Sequence, residues 1–165
     1  MAAANVVKPD NSQPSIRRFL TSHRTAYNRK DERAFCPENY NPCNCISTTN
    51  GLEVSCIDVK ISDIVNVFYN TKAPQIYSLI MSTTASPTGV TLPADLLSDK
   101  RVQNIYLMCP SPFPIAIDPS AFRFTRDYTI HFEIDNCDLS TLPNFAFLTN
   151  FAVLSELVVL NSLSV

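Results

Sequence analysis

The sequence predicts an α/β fold of stacked repeats, with parallel strands on a concave face and irregular or short helical returns on the convex side. Three observations predict it. Four apolar segments fall into a common register at near-constant spacing. Four cysteines, Cys36, Cys43, Cys45 and Cys56, crowd into a short stretch just before them. Glycine is scarce, with two residues against twelve prolines, which disfavours hairpin-rich sandwiches whose tight turns want positive φ.

The first 35 residues come first in the chain and read differently from the rest. They carry seven Lys/Arg and three Asp/Glu, whereas residues 36–165 carry six and twelve. A basic, Pro/Asn/Ser-bearing front with few large apolar groups reads as a disordered arm, 1–35. The acidic remainder disfavours nucleic acid as a partner. With 45% hydrophobic and 17% charged residues over 165 positions, the chain can bury a sizeable core. No segment approaches the run of apolar residues that a spanning helix needs. The arm has no apolar stretch of the signal-peptide kind.

The cysteine-rich segment, 36–73, comes next. It reads CPENYNPCNC, then the strand-like LEVSC ending at Cys56. So few residues cannot build a core of their own, so crosslinks are expected. Four cysteines allow three disulfide connectivities, and spacing does not choose among them. A zinc site is the rival, although Cys-x-Cys chelates tetrahedral zinc poorly. After Cys56, Ser62 is the expected N-cap of a short helix that places Ile61, Ile64, Val65 and Phe68 on one face.

Residues 74–165 hold the repeats. IYSLIM begins at Ile76, VQNIYL at Val102, TIHFEI at Thr129 and LSELVV at Leu154, at spacings of 26, 27 and 25. Each fits L-x-x-L-x-L, through Ile76/Leu79/Met81, Val102/Ile105/Leu107, Thr129/Phe132/Ile134 and Leu154/Leu157/Val159. This is the pattern and period of leucine-rich repeats. In the third unit Cys137 occupies the Asn/Cys position and Leu139 the next apolar one, while Thr84, Pro110 and Ser162 stand at the Asn/Cys position elsewhere. Thr129 stands where an apolar residue is expected. The returns carry apolar anchors: Val90, Leu92, Leu96 and Leu97, then Ile115, Ile117, Ala121 and Phe122, then Leu142, Phe145 and Leu148. About three and a half repeats are visible, and the last strand has no return. The chain therefore reads as a truncated piece, or as one whose terminal strand pairs with another chain.

C-P-x5-C-x-C-x10-C followed by an amphipathic stretch and repeats resembles the N-terminal cap of secreted, extracellular leucine-rich repeat proteins. CPENYNPCNC, LEVSC and SDIVNVFYN are most similar to arthropod secreted proteins described as like the non-catalytic, leucine-rich subunit of the Oplophorus luciferase (luciferin 2-monooxygenase). The resemblance covers residues 36–165. It implies the pairs Cys36–Cys45 and Cys43–Cys56, an extracellular location, and a supporting or recognition role without catalysis. A bridge between Cys109 and Cys137 requires a shift between neighbouring strands. The alternative is a buried Cys137 and a free Cys109.

No catalytic constellation is expected, and no metal or cofactor is implied. His131, Glu133 and Asp135 form an H-x-E-x-D triplet on a strand, read as a polar stripe rather than a metal or acid–base site. The outward strand positions form the candidate protein-binding face: Tyr77, Ile80, Asn104, Tyr106, Met108, His131, Glu133, Asp135, Glu156 and Val158. Apolar and aromatic groups set among polar neighbours are what a protein-binding surface contains. The expected function is extracellular, non-catalytic binding of another protein. The alternatives are a fragment of a repeat receptor ectodomain and a matrix repeat protein without a discrete ligand.

Overall fold

The computed structural model describes residues 36, 39–72, 75–140 and 143–162. The predicted arm 1–35 and the anchor Leu142 lie outside the described residues. The described part is a mixed α/β fold with a mostly parallel sheet and few helices. Its elements are β1 (Asn44–Thr48), β2 (Gly51–Cys56), α1 (Ile61–Asn70), β3 (Gln75–Ser82), β4 (Val90–Leu92), β5 (Arg101–Met108), β6 (Ile115–Ile117), β7 (His131–Asp135) and β8 (Glu156–Leu160). Short 3-10 segments at Arg123–Thr125 and Pro143–Asn150 complete the returns.

Six strands form one sheet in the order β1-β2-β3-β5-β7-β8. β1 and β2 are an antiparallel hairpin, and every later neighbour is parallel. Each parallel step needs a crossover. The returns supply it, and two of them pair as a small parallel sheet, β4 with β6. The register runs Leu79↔Ile105↔Phe132↔Leu157 and Met81↔Leu107↔Ile134↔Val159. Strand alternation turns these rows inward. Leu79, Ile105, Phe132 and Ile134 are fully buried.

The core lies between this inner face and the returns, where Leu92, Leu96, Leu97, Ile115, Ala121 and Phe122 are buried. In the last return the anchors differ from those expected. Phe145 and Leu148 are half-buried, and Phe147 is the residue that enters the core. Phe122, Phe132, Phe147 and Phe151 form one aromatic group, with centroids 5.3–6.2 Å apart.

Thr129 stands in the core for a polar reason. It is buried, and its hydroxyl donates to Val102 O and lies 2.7 Å from the Thr125 hydroxyl. Thr125 in turn donates to Val102 O and accepts from Val102 N. Two hydroxyls thus satisfy the start of β5 where an aliphatic side chain would leave it unpaired.

The helix expectation is corrected at its start. Lys60, not Ser62, is the N-cap, in an extended conformation and without a side-chain cap bond. Ser62 lies inside the first turn. The buried face is Ile64, Val67 and Phe68, with Ile61 and Val65 packed at its margin.

Both glycines sit where a side chain has no room. Gly51 closes the β1–β2 turn at φ +133°, and a Cβ there would come within 3.1 Å of Tyr77 Cβ. Gly89 has φ +84°, and a Cβ would meet Pro114 O at 2.8 Å.

Three disulfides crosslink the described chain: Cys36–Cys45, Cys43–Cys56 and Cys109–Cys137. No described cysteine is left free for zinc. The third bridge needs no shift between strands. Cys109 N donates to Asp135 O, which keeps β5 and β7 in register. Asn136 then turns the chain at φ +57°, a left-handed conformation that asparagine tolerates. That turn brings Cys137 back over Cys109 with a Cα separation of 5.1 Å. Asn161 repeats the turn on the next strand at φ +48°. There Ser162 Oγ accepts from Cys137 N at 3.1 Å.

Candidate functional site

The outward positions of the sheet form three registered rows. The first is Glu53, Ser78, Asn104, His131 and Glu156. The second is Ser55, Ile80, Tyr106, Glu133 and Val158. The third is Ser82, Met108, Asp135 and Leu160. All ten residues expected on this face lie on the sheet, nine of them in these rows. Tyr77 sits beside the first row, against Gly51.

Glu53 and Ser55 belong to the face and were not expected there. The sequence assigns LEVSC to the cysteine-rich segment 36–73, whereas β2 pairs with β3 as a full member of the sheet. The signal was present in the sequence. Leu52, Val54 and Cys56 alternate with Glu53 and Ser55 at the strand period, and the former three are buried.

The rows differ in what their side chains do. Asn104 donates from Nδ2 to Tyr77 O at 2.8 Å, tying β5 to β3. Asp135 accepts from Asn161 Nδ2 at 3.0 Å. Ile80, Tyr106, Met108, Val158 and Leu160 are half-buried, so each presents part of its apolar surface. Parallel strands are spaced about 4.8 Å apart, which makes Ile80, Tyr106 and Val158 a stripe broken by Glu133.

His131 is the electrostatic centre of the face. Its Nδ1 lies 3.0 Å from Glu156 Oε2, and its Nε2 lies 3.5 Å from Glu133 Oε2. The second contact is a charge contact rather than a hydrogen bond, and Nε2 is buried without a hydrogen-bond partner among the described residues. Burial alone would lower the imidazole pKa, but the two carboxylates outweigh it and hold it above its ordinary value. The Tyr106 ring lies 5.1 Å from the imidazole, tilted by 43°. Burial, with the Glu133 charge next, pushes the Tyr106 hydroxyl up to about 12. It therefore stays neutral across the physiological range.

The H-x-E-x-D triplet does not close into a metal site. Asp135 is engaged by Asn161, and among the described residues no three His, Cys, Asp or Glu side chains converge closely enough to share an ion. Away from the sheet face, a recess between the cap loop and α1 is lined by Asn41, Pro42, Asp63, Asn66 and Asn70. It holds amides and one carboxylate, with no nucleophile–base pair. Among the described residues no helix is long and apolar enough to cross a membrane.

No protein-family model, curated protein or solved structure matches this chain.

Proposed function

We propose that this chain is an extracellular, non-catalytic binding module, built as a capped leucine-rich repeat solenoid, that engages another protein with its outward strand face. The observation that carries the reading is the row Ser55–Ile80–Tyr106–Glu133–Val158, in which partly exposed aliphatic and aromatic groups are bordered by polar rows. Such a composition suits a protein interface, with an apolar centre and a polar rim. The parallel pairing also holds these side chains in fixed register, so a partner meets a preorganised surface.

Three considerations support the finer parts of the reading. The 25–27-residue period with L-x-x-L-x-L at each strand is that of leucine-rich repeats. Three disulfides within one small domain suit an oxidising, extracellular compartment. The pairing at the cap is the one implied by the resemblance to secreted arthropod proteins of the luciferase non-catalytic subunit type.

Site-directed photo-crosslinking tests the proposal. A benzoylphenylalanine is placed at Ile80 or Val158, and a control at Thr91 on β4, which is exposed on the return side. The labelled chain is photolysed in extracellular fluid of the tissue that expresses it. The expected result is a discrete adduct from Ile80 and Val158. Excess unlabelled chain competes it away, and a Tyr106→Ala/Glu133→Lys double variant does not. Adducts from Thr91 alone, or equal competition by the double variant, would overturn the proposal.

A further inference from the structure

Glu133 is the most deeply buried carboxylate of the strand face. Its side chain is only 8% exposed, and among the described residues its charged neighbour is His131 at 3.5 Å. A carboxylate withdrawn from water needs a counter-charge or hydrogen bonds. Here it has a single imidazole at the limit of contact, and that imidazole nitrogen is itself buried and unbonded. The same imidazole also serves Glu156, through Nδ1 at 3.0 Å. A neutral imidazole has one N–H, so it can donate to only one of the two carboxylates. A protonated one carries a single positive charge between two negative ones.

The rest of the face does not make up the difference. The three outward rows hold four carboxylates, Glu53, Glu133, Asp135 and Glu156, and no lysine or arginine. Asp135 is already engaged by Asn161. Tyr106 contributes no charge.

We infer that the partner protein presents an arginine to this cluster, that the guanidinium enters beside Tyr106 between Glu133 and Glu156, and that it competes there with the proton on His131. The inference rests on the protein-binding reading of the face and names the chemistry that the face selects. Arginine fits better than lysine. Its planar group offers several donors in a fixed fork, enough for two carboxylates at once, and it is more weakly hydrated than an ammonium. The apolar rim of Ile80 and Val158 suits the aliphatic stem.

A pH dependence follows from the same groups. His131 is faced by Tyr106 from β5, by Glu133 on its own strand, by Glu156 from β8, and at longer range by Asp135 and Glu53. When His131 is protonated it neutralises part of the cluster and repels a second cation. Affinity for a guanidinium therefore rises as pH rises through the His131 pKa and falls below it. By linkage, the bound guanidinium lowers that pKa.

The test uses the full chain and two probes, acetyl-Val-Arg-Val-amide and its citrulline analogue, which keeps the shape and removes the charge. Binding is followed by isothermal titration calorimetry between about pH 5.5 and 8, a range that brackets the ordinary histidine value, and wherever His131 is retained also by its Cε1 proton resonance. The arginine peptide is expected to bind roughly tenfold more tightly than the citrulline peptide at the upper pH. That advantage should shrink below about twofold at the lower pH, when His131 is charged. Glu133→Gln should abolish the advantage. Glu156→Gln, at a position 60% exposed and safe for folding, should reduce it. His131→Gln should keep the advantage and remove its pH dependence.

Equal binding of the two peptides, or an advantage untouched by both Gln variants, would overturn the inference. So would failure of the arginine peptide to move the His131 resonance of the wild type. Equal peptide binding leaves the strand face standing as an interface. An arginine preference that depends on Glu133, found together with crosslinks only from Thr91, would keep the site and remove the protein-binding reading.

Discussion

The β1–β2 side of the sheet and the β7–β8 side are held by different chemistry. On the first side a short antiparallel strand covers β2, and its own residues bury little: every residue of β1 is exposed or half-buried. Two disulfides fix it instead, one from Cys36 to Cys45 within β1 and one from Cys43 to Cys56 at the end of β2. On the second side no disulfide reaches β8. The strand is exposed or half-buried throughout, and beneath it lies the aromatic group of Phe122, Phe132, Phe147 and Phe151. The contrast shows two ways to steady a strand that cannot bury both faces. Crosslinks restrict the unfolded chain, while large aromatic side chains concentrate buried area in few residues.

The largest effect is expected in the aromatic group beneath β8, the strand that no disulfide reaches. Phe132→Ala removes the ring that contacts Phe122, Phe147 and Phe151, all with centroids 5.3–5.5 Å away. The loss should be about 3–5 kcal/mol, as for other buried phenylalanines, read from the shift in denaturant midpoint. Hydrogen exchange should show protection lost first in β7 and β8, with β1 and β2 retained. Uniform loss across all strands would break the comparison, because it would make the sheet a single cooperative unit.

Replacing Cys43 and Cys56 together by alanine should cost about 2–4 kcal/mol, the range for a loop of this size. The bridge spans 13 residues and both cysteines are buried, so alanine avoids burying a hydroxyl. Here the protection loss should fall on β1 and β2. Protection loss that appears instead at β8 would show that the cap acts through the whole sheet rather than locally.

Much of this organisation was legible in the sequence, and the failures have physical causes. The strand rows were readable because the last two apolar positions of L-x-x-L-x-L alternate along a strand, and all four predicted segments contribute mutually parallel strands to one sheet. Thr129 broke the apolar pattern because a hydrogen-bond network, invisible to hydropathy, occupies that site. Cysteine density around β2 masks its membership in the sheet, although Leu52, Val54 and Cys56 alternate at the strand period. The helix cap was misplaced because a serine near a helix start is a statistical signal, and here the backbone of Lys60 enters the helix without it. The Cys109–Cys137 bridge depended on Asn136 adopting positive φ, which composition does not announce. On the face, the residues were readable but their energetics were not. That Glu133 is buried and shares one imidazole with Glu156 follows from the register of β7 and β8, which no single strand reveals.

The smallest effect sharpens the comparison by separating titrating from non-titrating support. The carboxylates raise the His131 pKa in the folded chain. A group whose folded pKa lies above its unfolded one contributes stability that is fully present below the unfolded value, about 6.5 for histidine. That contribution is lost as pH rises through the raised folded pKa. The wild type should therefore exceed His131→Gln in stability most at about pH 6 and progressively less above it, by an amount smaller than either change described above. His131 sits on β7 beside β8, so this dependence belongs to the aromatic side. The cost of removing Cys43 and Cys56 should stay constant over the same range, because a disulfide does not titrate. Urea midpoints for the two variants, measured at matched pH, check both statements. A His131→Gln deficit that grew with pH would reverse the sign and show that His131 is held neutral, with Glu133 and Glu156 steadied by other groups.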